Sequence, residues 1–116
     1  MTKVLFYRTG SLITGFRISG HSGFAEAGED IVCAAVSSAA YMTANTVTDV
    51  LGLKPKRLEV SDGFFALSLQ SEDAKKASDI LNGFHVHVKG LSKDYGGHIT
   101  VTTLTIKNNY GGAENA

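Results

Sequence analysis

A chain of 116 residues with zero formal net charge, 43% hydrophobic and 19% charged, is long enough for one domain with its own core. It carries no basic excess that would draw it to nucleic acid. Its single cysteine, Cys33, excludes an intrachain disulfide and points to a reducing compartment. The opening Met1-Thr2-Lys3-Val4-Leu5-Phe6 turns polar within a few residues and lacks a signal-type apolar core, so cytoplasmic residence away from membranes is the expectation.

Lys3 to Arg8 is apolar and aromatic and stops at Thr9-Gly10-Ser11. Leu12 to Ser19 then sets Ile13, Phe16 and Ile18 among Thr14, Arg17 and Ser19, which predicts a β-hairpin joined through Gly10. Gly20 to Asp30 has three glycines, Gly20, Gly23 and Gly28, and almost no apolar period, so it reads as a loop. Ile31 to Leu51 is alanine-rich, apolar nearly all round and free of Gly and Pro; Gly52 and Pro55 close it. That is a buried helix. Its small residues, including Ser37 and Ser38, also suit a subunit contact.

Arg57 to Val60 and Phe64 to Leu69 flank Ser61-Asp62-Gly63, a strong hairpin signal. Ala74, Ala77, Ile80, Leu81, Phe84, Val88, Leu91 and Tyr95 recur at threes and fours, which predicts an amphipathic helix from about Ser71. Phe84-His85-Val86-His87-Val88 alternates like a strand, but the longer helical period outweighs it. Gly96-Gly97 breaks the helix, and Ile99 to Ile106 is a last strand dense in Thr and Val. The order is ββαββαβ: one α+β domain over residues 1–106, with a mostly antiparallel sheet and two helices, followed by a polar tail over 107–116.

The chemistry gathers around Cys33. With Asp30 read as an N-cap, Ile31, Val32 and Cys33 would be the first helical positions. Unsatisfied backbone N–H groups and the helix dipole there would favour the thiolate and hold an oxyanion. His21, across the glycine loop, has the side chain of a general base near neutral pH. A different reading fits the same residue types. A lone cysteine opening an alanine-rich helix is commonly a small buried hydrophobe, and a loop histidine is commonly only solvated. Asp30 is an ordinary cap or an orienter of His21. Ser37, one turn past Cys33, serves the site or, as is more usual, back-bonds to the helix. Glu26 and Glu29 read as solvated loop carboxylates. Cys33 with His85, His87 and His98 matches no zinc spacing, and no phosphate or dinucleotide fingerprint is present, so neither metal nor cofactor is expected. The loop has Phe24 as its main apolar anchor. It is therefore expected to open easily, to hold His21 too far from Cys33 or in several places, and to bring the pair together only when a ligand binds.

Gly20-His21-Ser22-Gly23 followed by Gly28-Glu29-Asp30-Ile31-Val32-Cys33-Ala34-Ala35-Val36-Ser37 closely resembles the signature of the ribosomal-processing cysteine protease family, Prp. The early hairpin, Val50-Leu51-Gly52-Leu53, Asp62-Gly63-Phe64 and Gly90-Leu91-Ser92 agree with it, so the likeness spans about residues 3 to 106. The resemblance implies a bacterial, cytoplasmic, homodimeric endopeptidase. Such enzymes remove the apolar, aromatic-rich N-terminal extension from the precursor of a large-subunit ribosomal protein. It puts Cys33 in the nucleophile's place, His21 in the base's, and Asp30 and Ser37 on supporting positions. Ser22, where many relatives carry alanine, His85-Val86-His87 and the tail after Ile106 depart from the pattern without touching the motif. A non-catalytic ribosome-associated interaction domain and a cysteine hydrolase of small amides or esters are the competing readings. An unreactive Cys33 would mark the first, and turnover of small substrates with indifference to the precursor would mark the second.

Overall fold

The computed structural model describes residues 1–20 and 27–106, with side chains described for all of these except 27–30. Strands β1 (Thr2–Thr9) and β2 (Leu12–Ser19) form the first hairpin, turning at Gly10. Helix α1 (Ala27–Asn45) runs on into one π-helical turn, Thr46–Val50. Strands β3 (Arg57–Ser61) and β4 (Phe64–Ser68) form the second hairpin across Asp62-Gly63. Helices α2 (Ser71–Lys76) and α3 (Ser78–Asp94) precede β5 (Ile99–Thr105). The ββαββαβ order holds, with the second predicted helix interrupted at Ala77, where φ is −98° and ψ 11°. The His85-Val86-His87 run lies inside α3, as the helical period requires.

The sheet order is β3-β4-β2-β1-β5. The first three contacts are antiparallel and the last, β1 to β5, is parallel. The register sets Phe6, Phe16 and Leu67 in one row, and Val4, Ile18 and Phe65 in the next, all facing the core. Val32, Val36, Ala40 and Val47 of α1 and Leu81, Phe84 and Val88 of α3 complete that core. The centre is aromatic: Phe16 lies 4.7 Å from Phe84 and 6.2 Å from Phe6, ring centre to ring centre.

Two local features differ from the sequence reading. First, α1 begins at Ala27, four residues before the expected start, so Glu29 and Asp30 are first-turn residues and Asp30 is not the N-cap. Acidic residues suit either position, since both complement the positive end of the dipole. Second, α1 is buried along one stripe only. Its length and hydropathy from Ile31 to Val50 would let it cross a membrane, yet Val32, Val36, Ala40 and Val47 are spent on the sheet. Ile31 and Met42 on the outer side stay 57% and 60% exposed. Near its end, Thr43, Thr46 and Thr48 donate their hydroxyls to the carbonyls of Ala39, Met42 and Ala44. Such back-bonding competes for helix carbonyls and accounts for the widened final turn.

Candidate active site

Cys33, Ser37 and Tyr41 follow one another at four-residue spacing and form one stripe of α1, beside the buried stripe of Val32, Val36 and Ala40. They form one wall of a groove of about 510 Å³. Ile18 and Gly20 at the end of β2, and Val60 to Phe65 of the second hairpin, supply the floor and the opposite wall. The hairpin arrives there through pairing: Ser19 opposes Phe64, and Ser61 opposes Phe64 from the other side. Gly20, at φ +89°, is where the chain turns out of β2. A Cβ at this position would fall on the Met1 carbonyl oxygen, so no other residue fits.

Cys33 is half-buried and opens onto this groove. It is the seventh residue of α1, so its own N–H is bonded inside the helix. The expectation that Cys33 sits among the unsatisfied N–H groups of the first turn is therefore corrected. Side chains on a helix lean toward its N-terminus, which still tilts the thiol toward that end.

Ser37 differs from the sequence reading as well. Among the described residues its hydroxyl has no hydrogen-bond partner, whereas Thr43, Thr46 and Thr48 on the same helix all back-bond. Ser37 lines the groove one turn from the thiol. His21, Ser22, Gly23 and Glu26 lie outside the described residues, and so does the expected motion of the loop. Gly28, Glu29 and Asp30 lie in the first turn of α1.

The other histidines serve elsewhere. His85 packs edge-on against Phe6, with ring centres 4.7 Å apart. Burial, then the charges of Arg8 and Lys89, push its pKa below 6.5. His87 lines a separate cleft of about 290 Å³ between α1 and α3, with Met42, Ile80 and Phe84. Among the described residues no group of three or more His, Cys, Asp or Glu is placed to hold a metal.

Sequence reasoning missed the rest of the groove. Tyr41 was legible as the next step of the Cys33–Ser37 spacing. Ile18, Val60 and Phe65 had no local signal.

A half-buried thiol on a helix wall, opening into a largely apolar cleft beside the sheet, is the placement a cysteine nucleophile of a hydrolase requires. The sequence profile of the family described as "Cysteine protease Prp" matches residues 1–100. The chain is 33% identical over 100 residues to the ribosomal processing cysteine protease Prp of Bacillus subtilis (strain 168), covering 81% of this chain and 88% of that one. It belongs to the Prp family of cysteine proteases. Its fold is shared with SMU.848 from Streptococcus mutans, at a TM-score of 0.78 and 22% identity, covering 91% of this chain and 96% of that one. A structure of the essential ribosomal processing protease Prp from S. aureus in complex with a substrate peptide is also similar. It has a TM-score of 0.77 and 20% identity, covering 90% of this chain and all (100%) of that one.

Proposed function

We propose that this protease removes the apolar N-terminal extension from the precursor of a large-subunit ribosomal protein in the bacterial cytoplasm. The observation that carries the reading is the groove itself: the sole cysteine opens into a cleft with Ile18, Tyr41, Val60 and Phe65 on its surface. Its roughly 510 Å³ accommodates several residues of an extended apolar peptide. The curated relative from Bacillus subtilis is named for ribosomal processing, which supplies the substrate class.

In this reading the Cys33 sulfur attacks the scissile carbonyl carbon while its proton passes to His21. His21 then protonates the departing amine as the C–N bond breaks and a thioester remains. Water attacks the thioester, and the released sulfur recovers a proton. Ser37, on the groove wall, and Asp30, in the first helical turn, support this exchange.

Incubation with the extended precursor is expected to give a product shortened at its N-terminus, read by mass. Cys33→Ala should abolish the cut and leave the fold intact, since alanine suits a helix. Full processing by Cys33→Ala would overturn the reading. We also infer a homodimer, supported by the outward side of α1, where Ile31, Ala34, Ser38 and Met42 are exposed and uncharged. Sedimentation as a monomer at micromolar concentration would contradict it.

A further inference from the structure

We propose that Tyr41, with Val60 and Phe65, forms the apolar subsite that reads a substrate side chain three or four residues N-terminal to the residue whose carbonyl Cys33 attacks. The inference rests on the proposed function and names a specificity determinant within that same groove.

Two lengths set the position. Tyr41 follows Cys33 by eight residues on one stripe of α1, a rise of about 12 Å. An extended peptide advances about 3.3 Å per residue, so the two side chains stand three to four peptide residues apart. The hairpin lines the same groove. Its turn, Asp62-Gly63, lies by Gly20 at the end of the sheet from which α1 sets out. Val60 and Phe65 oppose each other further along, level with Ile18.

The far end of the groove is built for an apolar side chain. Tyr41 stands edge-on over Phe65 at 5.1 Å and 81°, so its ring is held in place. Phe65 is buried beneath it, yet Tyr41 is 49% exposed and Val60 44%. These two large apolar faces continue directly from the Cys33 groove, and Ile18, Tyr41, Val60 and Phe65 bring no charge. Burying them needs an apolar partner from the peptide that fills the groove. In the proposed substrate the apolar residues are in the extension, which lies N-terminal to the cut, and this decides the direction.

The test uses synthetic peptides spanning the extension and the cleavage point, each carrying a single aspartate at a different position. The wild type should lose about tenfold or more in kcat/KM when the aspartate falls three or four residues before the attacked residue. On the apolar parent peptide, Tyr41→Ala should lose about tenfold, mainly through KM, and should no longer distinguish aspartate at that position. Tyr41→Phe should restore both rate and discrimination. Val60→Thr, at an exposed strand site that tolerates it, should weaken the same discrimination. Equal wild-type rates across the series would overturn the subsite alone, as would a Tyr41→Ala enzyme with wild-type selectivity. A wild type that cuts no peptide would overturn the proposed function, and the subsite with it.

Discussion

Gly15 of β2 is expected to reject even a methyl group, and the consequence reaches the groove. It pairs with Ser68, next to the Phe16–Leu67 pair. A Cβ built there would fall on the Leu67 carbonyl oxygen, 3.0 Å from Ser68 Cα and 3.2 Å from the Leu67 carbonyl carbon. All three atoms are backbone, so no rotamer change relieves the contact. The β2–β4 pair must spread, and β4 carries Phe65 and the hairpin wall opposite Cys33. Overpacking of this kind costs about 1–3 kcal/mol. In a domain of this size, Gly15→Ala should lower Tm by roughly 4–12 °C. The same change at Gly90, inside α3, meets nothing within 4 Å. There it removes only unfolded-state freedom and should add about 0.5–1 kcal/mol, raising Tm by roughly 2–4 °C. Thermal unfolding followed by circular dichroism checks both. Gly15→Ala melting at or above the wild type, or the two changes moving Tm the same way, would refute the reasoning.

Phe6 is fully buried and touches Phe16, Phe84 and His85, so Phe6→Ala should cost about 3–5 kcal/mol and move the urea midpoint sharply down with little change in m. Because the pKa of His85 is lowered in the folded protein, the unfolded chain binds the proton more readily. The stability linked to this group is thus fully present above 6.5 and is lost as pH falls below that value toward the folded pKa. His85→Phe should make Tm less sensitive to acidification across this window. An unchanged pH slope would count against the assignment. Half-buried Cys33 in its groove should be alkylated by iodoacetamide in the native state, with loss of peptidase activity; a thiol inert until the protein is unfolded would place it in the core instead.

Much of the framework is local and was therefore legible in the sequence. Gly10 and Asp62-Gly63 mark hairpins because a tight turn demands particular backbone angles at particular residues. Ala74, Leu81, Phe84 and Val88 announce α2 and α3 because helical spacing puts them on one buried face. Cys33, which lines the groove, stood out for a different reason: it lies in a short run of chain with a recognisable pattern. The start of α1 was not legible. Asp30 satisfies the chemistry of a cap and of a first turn equally well, and only the folded chain places the start at Ala27. The break at Ala77 likewise had no sequence signal. The groove is the plainest case of all. Ile18, Cys33, Val60 and Phe65 come from four separate elements, and their meeting depends on the sheet order β3-β4-β2-β1-β5 and on the register that sets Ile18 beside Phe65. Hydrophobic spacing reports which side of a strand or helix is apolar. Which elements share a core, and which apolar residues are left uncovered beside the thiol, is decided by packing among segments far apart in the chain.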